Sequence, residues 1–84
     1  MGTHDLRLRL AEMAAREGRL GEAEHLYAQV LHGNPYMVEA WWGLSQIVSE
    51  PERVAYCLQR VLALSPGFTE ANNQLHHLWQ MEHA

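Results

Sequence analysis

Two stretches decide the fold: Val30–Leu44, VLHGNPYMVEAWWGL, and Val61–Leu75, VLALSPGFTEANNQL. A shift of 31 residues lays Pro35 on Pro66, Val30-Leu31 on Val61-Leu62, Glu39-Ala40 on Glu70-Ala71 and Leu44 on Leu75. Asn34-Pro35 and Ser65-Pro66 each read as an N-cap followed by proline at the first helical position. Outward from these points, apolar residues recur at helical spacing. The five stripes are Leu6, Leu10, Met13 and Ala14, then Leu20, Ala23, Tyr27, Val30 and Leu31, then Ala40, Trp41, Leu44, Ile47 and Val48, then Val54, Leu58, Val61, Leu62 and Leu64, and finally Ala71, Leu75, Leu78 and Trp79. Gly18 and Gly33 stand where helix stops belong, and Ser49-Glu50-Pro51-Glu52 has the form of a capping box. No alternating strand pattern interrupts them. The expectation is an all-α domain of five short helices, antiparallel to their neighbours because the connections are short.

The repetition extends to the first helix at a shift of 34, with Leu10 on Leu44 and Met13 on Ile47. The difference between 34 and 31 falls at the Ser49–Glu52 corner, where three loop residues are absent. Composition bounds the function. The 84 residues suffice for one small domain, and 48% hydrophobic content is globular. Ten acids face six bases for a net charge of −4, and every base is arginine. A chain without lysine, whose arginines are interleaved with acids, is a poor phosphate tracker, so neither nucleic acid nor an anionic membrane is an expected partner. No apolar run reaches a membrane span of about 18 residues. Charged Asp5, Arg7 and Arg9 stand where a signal peptide would be apolar, and the single cysteine, Cys57, excludes an internal disulfide framework. The cytoplasm is the expected compartment.

The ordered positions resemble the tetratricopeptide repeat family, whose pattern is W-x2-L-G-x2-Y, then A-x3-F, then P. Trp41, Leu44, Ser45 and Val48 take the first four places in the second repeat, with Val54, Leu58 and Pro66 completing it. The first repeat offers Leu10, Ala11, Ala23, Tyr27 and Pro35, with Arg7 and Ala14 replacing aromatics. Leu75, His76 and Trp79, with Asn72 in place of tryptophan, look like a solubilising cap. The resemblance implies a short right-handed α-solenoid: repeat one over about 4–35, repeat two over about 36–66 and a capping helix over about 67–83. The second repeat is shortened, and two full repeats stand where about three are usual. It also implies a concave groove for a peptide or helix, lined by the first helix of each repeat.

Helical geometry leads to the same surface. Asp5, Leu8, Glu12 and Arg16 lie roughly 140° from the apolar stripe of the first helix. Their equivalents are Glu39, Trp42, Gln46 and Glu50, then Glu70, Asn73, His77 and Met81. The expected groove floor is Leu8, Glu12, Trp42, Gln46, Asn73 and His77, favouring a basic or apolar protein segment. Adjacent Trp41 and Trp42 point about 100° apart, so Trp41 is expected between helices and Trp42 in the groove or over a neighbouring helix. Asp5, Glu39 and Glu70 are also first-turn acids that complement helix dipoles without a ligand. Trp79 either remains uncovered, inviting a homodimer through the C-terminal face, or folds onto Cys57 or Leu62.

The remaining chemistry is sparse. His76 and His77 diverge on a helix, and His76 and His83 lie about 10 Å apart along it, too far for one ion. His4, His25 and His32 are scattered, and H-E-x-x-H and C-x-x-C are both missing. A metal site would need two copies, and solvated surface is the plainer reading. Cys57 reads as an inert core thiol. With no nucleophile motif, neither an enzyme nor a cofactor is expected.

Overall fold

A computed structural model describes residues 3–82. Its elements are α1 (Thr3–Arg16), α2 (Leu20–Gly33), α3 (Val38–Ser45), α4 (Pro51–Leu64) and α5 (Thr69–Glu82). No strand occurs among the described residues. Each helix packs on the next in sequence, and α1 also touches α3. The chain is an all-α stack of helical hairpins. The side chains of His4 and Asp5, and His83 altogether, lie outside the described residues.

Local signals account for most boundaries. Gly18 takes φ +81°, the left-handed turn that glycine adopts without strain. The Gly18 N–H donates to the Ala15 carbonyl at 3.1 Å and the Arg19 N–H to the Ala14 carbonyl at 2.9 Å, a Schellman closure of α1. Gly33 does not act this way: it is the last residue of α2, and Gly18 is the only described glycine with positive φ.

The 31-residue repetition is present in the backbone itself. Asn34 has φ −147° and ψ 89°, and Ser65 has φ −141° and ψ 84°. Each donates its N–H backward, to Val30 at 2.8 Å and to Val61 at 2.7 Å. Each carbonyl accepts from three residues on, from Met37 at 3.3 Å and Phe68 at 3.1 Å. Asn34 and Ser65 are therefore C-caps of α2 and α4, not the N-caps expected from their prolines, because their N–H groups are spent on the preceding helix. The Asn34 side chain accepts from the Tyr36 N–H at 3.2 Å, fixing an Asx turn before α3 begins.

The corner between α3 and α4 differs from expectation in two ways. α3 has 8 residues where α1 has 14, so the deletion shortens the helix instead of the loop. Its end tightens, with the Gln46 and Ile47 N–H groups donating three residues back, to Gly43 and Leu44. The Ser49 capping box is not formed. Pro51 occupies the start of α4, which makes Glu50 the N-cap and leaves Ser49 one residue early.

Two connected cores hold the stack. Ala11, Ala14, Ala23, Tyr27 and Val30 centre the first, and Leu58, Val61 and Ala71 the second. The alanines let α1 and α2 approach closely. They also correct most of the expected inner stripe of α1: Ala14 is buried as expected, whereas Leu6, Leu10 and Met13 are exposed at 60%, 42% and 45%. Their counterparts on α3 are covered by α2, and no described element covers that side of α1. Trp41 lies between α3 and α4 as expected. Its ring meets Tyr56 edge-on at 5.7 Å, its Nε1–H donates to the Pro35 carbonyl at 2.8 Å, and Arg60 sits over its face at 5.7 Å.

Candidate functional site

One glycine sets the approach of α2 to α3. A Cβ at Gly43 would come within 2.3 Å of Tyr27 Cζ and Oη, so only glycine lets that ring lie against α3. By the repeat, the same contact between α4 and α5 pairs Leu58 with Gln74, a smaller ring-free side chain against a larger one. Tyr27 thus reaches the floor of a groove of about 650 Å³ between α1 and α3. Glu12 and Arg16 line it from α1, Glu39, Trp42 and Gln46 from the α3 side, and Phe68 from the turn before α5. Trp42 is half-buried, its ring tilted on Phe68 with centroids 4.9 Å apart.

Of the six residues expected on the groove floor, Glu12, Trp42 and Gln46 come together here. Leu8 does not: it is half-buried against the first core, as is Met37. Leu8 and Met37 hold the registers that Trp42 and Phe68 hold one repeat later, and the smaller pair is absorbed by the core. Asn73 and His77 line a separate cavity of about 350 Å³ with Val54, Leu58 and Gln74. The boundary between the two is an amide pair. Gln46 Nε2 donates to Gln74 Oε1 at 3.0 Å, and Gln74 Nε2 donates back at 3.4 Å. Gln46 is held further by its bond to Ser45 Oγ at 2.8 Å, and that hydroxyl donates to the Trp42 carbonyl at 2.6 Å. Glu50 lies off this surface, where it pairs with Arg53 at 3.4 Å. Arg53 also reaches Glu24 at 2.5 Å, joining α4 to α2.

Phe68, Tyr27 and Gln74 were not legible as site residues. Phe68 belongs to no helical stripe. The signal that finds it is the 31-residue shift, which places it on Met37 just before a helix.

Burial shifts one group at the groove floor and one in the core in the same direction. Burial pushes the Tyr27 hydroxyl above its ordinary 10.0, and the Glu12 carboxylate pushes it further while Arg16 draws it down. Cys57 is buried and its thiol is raised above 9.0 by burial foremost, with Arg53 lowering it and Glu24 raising it. Trp79 is 61% exposed and lines a small cavity with Gln59, Asn72, Leu75 and His76, so it is not folded under onto Cys57 or Leu62. Among the described residues no group of three or more His, Cys, Asp or Glu side chains could hold a metal ion. No helix among them is long and apolar enough to cross a membrane. No protein-family model matches the chain, and no curated protein matches it.

Proposed function

We propose that the protein is a tetratricopeptide-type interaction module that holds a segment of another protein in the groove between α1 and α3. The observation that carries this reading is Trp42, half-buried on Phe68 and lining a groove of about 650 Å³ together with charged residues. A partly exposed tryptophan in a concave apolar setting is the usual anchor of a protein interface. The repeated backbone at Asn34–Met37 and Ser65–Phe68 supports the repeat resemblance independently of side chains. A single free, buried cysteine suits a reducing compartment such as the cytoplasm. No enzymatic, nucleic-acid-binding or cofactor-binding role is proposed.

Peptides selected from a displayed random library test the groove. Trp42→Ala is expected to weaken the selected peptides by at least about tenfold, with helix content by circular dichroism unchanged. Full binding by this variant would remove the groove as the working surface. A marked loss of helicity would place Trp42 in the core instead.

A second reading is self-assembly, favoured by exposed apolar side chains at both ends of the stack: Leu6, Leu10 and Met13 on α1 and Trp79 on α5. Sedimentation over a concentration range then gives a dimer or longer array that Trp79→Glu returns to monomer. A mass that does not change with concentration or with the substitution eliminates this reading.

A further inference from the structure

We propose that the groove between α1 and α3 takes a cationic side chain, arginine or lysine, from a peptide segment whose neighbouring residues are bulky and apolar. The inference rests on the groove reading above and narrows its ligand. Glu12 and Glu39 reach the groove from opposite helices, and Arg16 is the one base among the lining residues. Among the described residues neither carboxylate is engaged in an ion pair, although Arg16 stands four residues after Glu12 on the same helix. Both acids are exposed to an incoming charge.

The floor supplies a second, independent mark. Tyr27 is only 3% exposed yet lines the groove, and its hydroxyl makes no hydrogen bond to any described residue. Buried hydroxyls are normally bonded, so an unbonded one at the base of a groove is set to receive a ligand atom. Two of the three charged lining residues are acidic, and Glu12 raises the Tyr27 hydroxyl while Arg16 lowers it. A guanidinium or ammonium N–H would donate to Tyr27 Oη and to the carboxylates. The cation would lie near the electron-rich face of Trp42, a favoured arrangement for an aromatic ring. Trp42, Phe68 and Ile47 then receive the apolar neighbours. An anionic side chain would meet two acids for one base.

The test uses three blocked hexapeptides in which one central position, between leucine and phenylalanine, is arginine, citrulline or glutamate. Each is titrated into the full chain, and amide shifts of Glu12, Gly43 and Gln46 report groove occupancy. The arginine peptide is expected to bind at least about tenfold tighter than the citrulline peptide, with glutamate weakest. Glu12→Gln combined with Glu39→Gln, both at exposed positions, abolishes that preference while helix content stays the same. Tyr27→Phe keeps the ring and weakens the arginine peptide by about threefold. Equal affinities at the groove amides overturn the cation inference and leave the groove reading standing. Shifts elsewhere, or none with any of the three peptides, overturn both.

Discussion

α1 and α3 hold the same registers and meet opposite fates. Leu10 is 42% exposed, whereas Leu44, its counterpart, is 7% exposed. Arg9 is exposed, whereas Gly43 in the equivalent place is pressed against Tyr27. The sequences agree on which face is apolar. The difference comes from α2, which lies against α3 and has no described equivalent against the outer side of α1. Where a neighbour is present, the sequence also makes room for it: glycine stands opposite tyrosine, and arginine stands opposite solvent. In a stacked array, burial is a property of the helix pair rather than of the helix.

Paired truncation would break this comparison most directly. Leu44→Ala is expected to destabilise by about 2–4 kcal/mol, and Leu10→Ala by less than about 1 kcal/mol. Urea midpoints at fixed slope give the comparison. Equal losses would mean that the outer side of α1 is covered in solution, which is what self-assembly requires.

A smaller effect sharpens the same point at the backbone. Gly43→Ala places a methyl group 2.3 Å from Tyr27 Cζ and Oη and is expected to cost about 1–3 kcal/mol, because the core must shift to accept it. Gly21→Ala, inside α2 with nothing near its added carbon, is expected to stabilise by about 0.4–1 kcal/mol. Thermal melts of the two variants should move in opposite directions. If both were stabilised, the Tyr27 contact would not set the spacing of α2 and α3.

The number and order of the helices were legible because periodicity is local, whereas the caps read at Asn34, Ser65 and Ser49 were not those the structure forms. The division of labour between Trp41 and Trp42 was legible too, since adjacent residues on a helix must diverge. What local pattern could not supply was the identity of the neighbour. Leu6, Leu10, Met13 and Ala14 formed one stripe, yet of the four only Ala14 is buried, and the inward face is completed by Ala11, a small residue that carries little hydrophobic signal. The groove was legible in Glu12, Trp42 and Gln46 and illegible in Phe68, a turn residue, and in Tyr27, whose ring is core while its edge is floor. Asn73 and His77 share a face with Trp42 in register, but the Gln46–Gln74 pair, formed across 28 residues of chain, assigns them to another cavity.

The order in which the helices touch has a kinetic meaning. Since each packs chiefly on its predecessor and successor, native contacts close short loops, and folding of such chains runs in microseconds to milliseconds. Opening is graded in the same way. α5 is held by α4 and the glutamine pair, so its amides are the natural place for solvent exchange to begin, whereas α2, clasped by α1 and α3, opens only as the whole domain does.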